Sequence, residues 1–187
     1  ADLDSATIGM GLSIQDPEAL KLLVKSLLDR DVRLSLDATA LVNYILPLLS
    51  GKNVVVTPHA GEFKKMFGEA PPESKKARIT MVAKFAKKYS ITILLKGPTD
   101  IISDGGKTYL NPTNTPGMTV GGTGDILSGI IAGMLARNRD ALESAVISAY
   151  FNGLAGKMAQ KKLGHHITAT DLLDVLPSVM KSFDKIK

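Results

Sequence analysis

With 187 residues, 44% hydrophobic and 22% charged, the chain supports one domain with a substantial core, and zero cysteines exclude a disulfide framework and a thiol nucleophile. The net charge of +5 raises nucleic-acid binding, but tryptophan is absent and aromatics make up only 5%, so the lysines read as solvated helix faces. No apolar run reaches the ~20 residues of a membrane span and no secretory signal opens the sequence, so a cytoplasmic protein without nucleic-acid or membrane partners is expected.

In chain order, Ala6-Thr7-Ile8 reads as the end of a strand, followed by the turn Gly9-Met10-Gly11. Asp16 caps a helix with Pro17 at its first position, and Leu20, Leu23, Val24, Leu27 and Leu28 follow at helical spacing. Val32 to Leu36 is a strand ending at Asp37, a short helix runs through Leu41, Ile45 and Leu48-Leu49, and Val54-Val55-Val56 is the next strand. Thr57-Pro58-His59-Ala60-Gly61-Glu62 punctuates its end, and Phe63 to Phe67 look helical. Pro71-Pro72 open a long helix with Ile79, Val82, Phe85, Ala86 and Tyr89 on one face. Ile91 to Leu95 is a strand of the kind buried inside a parallel sheet. Asp104-Gly105-Gly106 turns a hairpin between Ile101-Ile102 and Thr108-Tyr109-Leu110. A glycine-rich loop from Pro116 leads into helices over Asp125 to Ala136, Ala141 to Leu163 and Asp171 to Phe183.

Strand–helix alternation followed by a hairpin and a helical tail predicts an α/β sandwich with a mainly parallel sheet. Ligands of such sheets bind beyond the carboxyl ends of the strands, which is where Gly9-Met10-Gly11, Asp37, Thr57 to Glu62, Lys96-Gly97 and the glycine loop all fall. Gly121-Gly122-Thr123-Gly124 places flexible backbone at a helix N-terminus, whose unpaired N–H groups suit phosphate. It matches neither a P-loop nor the dinucleotide fingerprint. Asp125 enters the first helical turn, either as a helix cap or as the acceptor of a proton from a hydroxyl attacking phosphate.

Other features carry two readings each. Glu62 serves the first helical turn after His59, or the pair forms part of a site. Lys96 is solvated, or neutralises transferred charge. Asp37 holds magnesium through water or caps the next helix, with the cap favoured. Asn152-Gly153-Leu154-Ala155-Gly156 reads as a helix–helix contact. His165-His166 lacks metal-ligand spacing and reads as a loop before a cap at Thr168 or Thr170.

Asn114-Thr115-Pro116-Gly117-Met118 with Gly121-Gly122-Thr123-Gly124-Asp125 resembles the signature of the NAD(P)H-hydrate dehydratases, members of the ribokinase-like superfamily. Thr57 to Glu62 is similar to that family's Thr-Pro-His-x-Gly-Glu motif, and Lys96-Gly97-Pro98-Thr99-Asp100 to its Lys-Gly-Ala-x-Thr turn, with Pro98 for Ala and Asp100 for Thr. Thr39, Met10 and Asn152 also depart from the family's Asp, Pro and His. The resemblance implies a three-layer α/β/α sandwich and dehydration of (S)-NAD(P)H-hydrate to NAD(P)H, driven by ADP or ATP with Mg2+. Asp125 is implied as catalytic base, and Gly11, His59 and Asp125 as substrate contacts. Lys96, Gly97, Pro98, Thr99, Asp100, Gly122, Thr123 and Gly124 are implied as nucleotide contacts, with Glu62 near magnesium.

The family also places strands and helices ahead of the point where this sequence starts. The domain is therefore expected to be short at its N-terminus, as a fragment or processed chain or with another polypeptide supplying that part. A homo-oligomer is expected. The rivals are a ribokinase-like kinase of a vitamin precursor or sugar, and an inactive nucleotide-binding subunit.

Overall fold

The computed structural model describes residues 3–137 and 140–184. Strands β1 (Ser5–Ile8), β2 (Arg33–Leu36), β3 (Val54–Val56) and β4 (Thr92–Leu95) pair in parallel in chain order. β5 (Asp100–Ser103) and β6 (Thr108–Asn111) extend the sheet as the antiparallel hairpin read from the Asp104 turn.

The two-residue period of the strands divides the core. Leu34, Leu36, Val54, Val56, Ile93 and Leu95 face a layer made by α1 (Pro17–Leu28), α2 (Leu46–Leu49), α3 (Ala60–Phe67) and α4 (Lys75–Tyr89). Val55, Leu94 and Ile102 face α5 (Thr123–Ala136) and α6 (Ala141–Leu163), and α7 (Ala169–Lys181) packs on that pair. Both faces are covered, which is why β3 and β4 are nearly unbroken apolar runs. No described helix is long and apolar enough to cross a membrane.

The seam between β1, β2 and α5 is polar. Ser128 Oγ lies 2.6 Å from Thr7 Oγ1 and 2.8 Å from Ser35 Oγ, and Ser5 Oγ donates to the Ala132 carbonyl at 2.7 Å. These hydroxyls satisfy one another inside the protein and fix how far α5 slides along the strands.

Two sequence expectations are corrected. The helix expected through Leu41 to Leu49 is broken into 3-10 turns at Ala38–Ala40 and Asn43–Ile45 before α2. Val42 is extended at φ −130°, and Pro47 has no N–H for the bond that a continuous helix would require. The long helix begins at Lys75 after Ser74, not at Pro71-Pro72. A residue preceding proline is pushed out of the helical region, so this pair stays outside, and the Pro72 carbonyl receives Arg78 Nε at 2.9 Å.

Elsewhere the local signals hold. Asp16 accepts the Glu18 N–H at 2.9 Å, with Pro17 opening α1. That helix buries Leu20, Val24 and Leu28, and leaves Leu23 exposed.

Candidate active site

The carboxyl ends of β1 to β4 meet the N-terminus of α5. At the end of β1, Gly9 has φ +126°, and a side chain there would collide with the Asp37 carbonyl, so only glycine lets these strand ends approach. Asp37 N–H donates to the Ile8 carbonyl at 3.0 Å, and Thr39 Oγ1 donates to the Gly9 carbonyl at 2.6 Å. Thr39, a departure from the family pattern, thus pins the first glycine turn. Gly11 has φ +68° with open space around it, so conformation rather than crowding calls for glycine.

Asp37 both caps and pairs. Its Oδ1 accepts the Ala38 N–H at 2.9 Å and the Lys96 ammonium at 2.7 Å, while the residue is buried. Ala38 sits at φ +49°, a left-handed conformation that this cap helps to hold. Lys96 Nζ also lies 3.7 Å from Glu62 Oε2, so a carboxylate after β2 and one in the first turn of α3 share one cation. The Lys96 N–H donates to the Pro58 carbonyl at 2.8 Å, which ties β4 to the His59 turn.

His59 and Glu62 form a capping box at the start of α3. His59 Nδ1 accepts the N–H groups of Gly61 at 3.0 Å and Glu62 at 3.3 Å, and Glu62 Oε2 accepts the His59 N–H at 2.8 Å. The neutral imidazole therefore carries its proton on Nε2, which lies 3.5 Å from Glu62 Oε1. The helix-start reading of Glu62 is the geometry observed, and it leaves His59 exposed with an Nε2 donor available to a ligand.

Gly122 caps α5 at φ +92° without a side-chain bond, and the Ile126 N–H makes the first intrahelical bond, to the Gly122 carbonyl at 3.1 Å. The N–H groups of Thr123, Gly124 and Asp125 precede that bond, as an anion site requires. A Cβ on Gly124 would lie 3.3 Å from Lys96 Nζ and 3.4 Å from Asp37 Oδ2, so the helix start abuts the ion pair. Thr123 is buried, its hydroxyl directed at the carbonyls of Met118 and Val120 at 2.9 and 3.1 Å, which leaves its backbone for a ligand. Asp125 is exposed, and among the described residues none hydrogen-bonds its carboxylate.

On the far side of Lys96 the structure corrects one residue. Asp100, expected among the nucleotide contacts, is 3% exposed and turned inward. Its carboxylate accepts from Gly97 N–H, Asn114 Nδ2 and Asn111 Nδ2, so it holds the turn rather than meeting a phosphate. Burial pushes its carboxyl above the ordinary range, against those three donors and the Lys96 charge. Pro98 is exposed and Thr99 half-buried in the same turn. Sequence reasoning missed Asn111, the last residue of β6, and had Asn114 only as part of a signature, because an asparagine near a strand end reads as turn chemistry.

Gly153 and Gly156 are corrected as well: they face the segment after β6 and the 3-10 turn Pro116–Thr119, not another α-helix. Side chains there would strike Thr113 and Met118, so these glycines seat the segment that leads into the glycine loop. His165 and His166 are exposed ahead of the Thr168 cap. Among the described residues no group of three or more His, Asp or Glu could cage a metal. One or two carboxylates completed by phosphate oxygens, the usual magnesium arrangement, remain available at Glu62 and Asp37.

Residues 1–178 match the family described as NAD(P)H-hydrate dehydratase. The ADP-dependent (S)-NAD(P)H-hydrate dehydratase of Nitrosopumilus maritimus is 65% identical over 184 residues, covering 98% of this chain and 64% of the relative. The chain thus spans about two thirds of the length of that curated relative. A Bacillus subtilis ADP/ATP-dependent NAD(P)H-hydrate dehydratase, co-crystallised with ATP/Mg2+, superposes with a TM-score of 0.84 at 31% identity, covering 97% of this chain and 65% of that one. A ribokinase-like superfamily protein from Enterococcus faecalis superposes with a TM-score of 0.78 at 28% identity, covering 98% and 64%. With its mainly parallel sheet, its glycine-capped α5 and the His59–Glu62 turn, the chain belongs to the NAD(P)H-hydrate dehydratase family, on the ribokinase-like fold.

Proposed function

We propose that the protein dehydrates (S)-NAD(P)H-hydrate to NAD(P)H at the expense of ADP or ATP. The observation that carries this reading is the exposed Asp125 carboxylate, without a hydrogen-bond partner among the described residues, in the first turn of α5, where the preceding Gly124 abuts the Lys96–Asp37 pair. Asp125 takes the proton of the substrate's C6 hydroxyl as that oxygen attacks the terminal phosphoryl group. The N–H groups of Thr123, Gly124 and Asp125 receive the developing negative charge, and Lys96 offsets it from the side. Loss of phosphate, with a ring proton, then restores the dihydronicotinamide.

Gly11 and His59 Nε2 line the substrate side, and Gly97, Pro98 and Thr99 the nucleotide side. Glu62 and Asp37 are the carboxylates that would hold a magnesium ion, which would supply positive charge to offset the negative charge of the phosphates. A single domain over residues 1–187, self-association and a cytoplasmic location belong to this reading.

The test is direct: full-length protein, hydrated NADH, ADP or ATP, and magnesium, followed by dihydronicotinamide absorbance and phosphate release. Stoichiometric NADH and phosphate support the reading. A stable phosphorylated small molecule without NADH assigns the site to a kinase, and no turnover by folded protein that binds nucleotide assigns it to an inactive subunit.

A further inference from the structure

We infer that Asp100 is a positioning residue for the nucleotide side of the site, clamping the Lys96-Gly97 turn to the loop that runs from β6 toward the glycine loop. The inference rests on the functional reading above. Asp100 opens β5 and is 3% exposed, and among the described residues no cation forms an ion pair with it. Three N–H donors converge on it instead: Gly97 N at 3.1 Å and Asn114 Nδ2 at 2.8 Å on Oδ1, and Asn111 Nδ2 at 2.9 Å on Oδ2.

The same amides extend the clamp in both directions. Asn114 Nδ2 also donates to the Gly97 carbonyl at 2.9 Å, so one side chain bridges turn and carboxylate. Asn111 Nδ2 reaches the Ala149 carbonyl on α6 at 3.0 Å, and Asn111 Oδ1 accepts the Thr113 hydroxyl at 2.6 Å. Thr113 in turn rests against Gly153 of α6. The network therefore runs from the helix layer through a buried carboxylate to the turn that presents Lys96.

A carboxylate is the group this geometry asks for, because it accepts on both oxygens and donates nothing when ionised. A threonine hydroxyl has two lone pairs for three donors, and its own O–H would need an acceptor among them. Both clamped segments flank the N-terminus of α5. Without Asp100, turn and loop would rely on surface backbone to keep their separation, and the phosphate wall would loosen while the reacting groups stayed in place.

The test uses the full-length protein with Asp100→Asn and, separately, Asn114→Ala. ADP affinity is measured by calorimetry with magnesium, KM and kcat by NADH recovery, and amide exchange on peptides covering 96–100 and 111–118. The expected result in both variants is an ADP Kd and nucleotide KM raised about tenfold, the loss of roughly one buried charge-assisted bond, with kcat within about threefold. Amide exchange should quicken in those two segments and stay unchanged in β1 to β3. Should Asp100→Asn fail to fold, Asn114→Ala, which removes two bonds at a half-buried position, carries the test. Wild-type affinity retained by the variants, or exchange quickened across the whole sheet, overturns the clamp. A wild-type protein that binds no ADP overturns the functional reading and this inference with it.

Discussion

Lys96 donates to the buried Asp37 carboxylate at 2.7 Å, at the place where a Cβ on Gly124 would come within 3.3 Å of the same ammonium. One cation is thus held between the end of β2 and the start of α5. Lys96→Met keeps most of the side-chain volume and removes the charge, leaving Asp37 buried with only the Ala38 N–H. Because Lys96 is 22% exposed, water relieves part of the penalty, and a loss of about 1–3 kcal/mol in urea unfolding is expected. Nucleotide affinity should fall in the same variant; a protein with unchanged stability and affinity would show that the pair is incidental.

Gly153 and Gly156 make a graded comparison. A methyl at Gly153 meets Thr113, whose hydroxyl is fixed on Asn111 and whose backbone carbon lies 3.1 Å from the added Cβ. At Gly156 it meets the thioether end of Met118, which can rotate away. Gly153→Ala should therefore cost about 1–3 kcal/mol and Gly156→Ala clearly less, both read by chemical denaturation. Equal costs would mean that the Met118 segment is as rigid as the Thr113 turn.

Those glycines also mark where sequence reading stops. The apolar strands, the Asp16 and Thr168 caps and the Asp104 hairpin are local signals, since periodicity and cap chemistry act within a few residues. The meeting of five motifs at one sheet end follows from strand order, and a parallel α/β sheet supplies that without further knowledge. The partners of Lys96, Asp100 and Gly153 are different. Lys96 reaches Asp37 across 59 positions and Asp100 reaches Asn111 across 11, and nothing near Asn111 or Thr113 announces these contacts. Asp100 came to the nucleotide side only through the resemblance of its turn, while its burial depends on α6 closing over β5 and β6, which the turn itself does not announce.

Asp100 also gives stability a predictable pH slope. Burial raises its folded carboxyl pKa above the ordinary 3.8 of the unfolded chain, so between those two values the folded state holds the extra proton. Stability contributed by the protonated group is then complete at the acid end and is lost as pH rises through the folded value. The wild-type stability minus that of Asp100→Asn should therefore decline as pH increases across this window, other carboxylates cancelling in the difference. Matched urea titrations measure it, and a difference that grows with pH would mean that the three N–H donors outweigh burial.

The last prediction separates the two readings of Asp125. Asp125→Asn has nearly the same shape at an exposed position with no partner among the described residues, so the fold should survive. The amide loses a favourable charge at the helix N-terminus, worth about 0.3–1 kcal/mol, and it cannot accept a proton. If Asp125 is the base, turnover should fall by about 10²–10⁴, far beyond what so small a stability change could produce. Nucleotide affinity should hold or improve, because a negative charge has left the neighbourhood of the phosphates. Single-turnover NADH recovery and calorimetry on one preparation read both quantities. Near-full turnover with a slightly lower unfolding midpoint would make Asp125 a dipole partner of α5 and nothing more. Lost nucleotide binding in a folded variant would instead place the carboxylate in holding the phosphates, through a cation, before any proton moves.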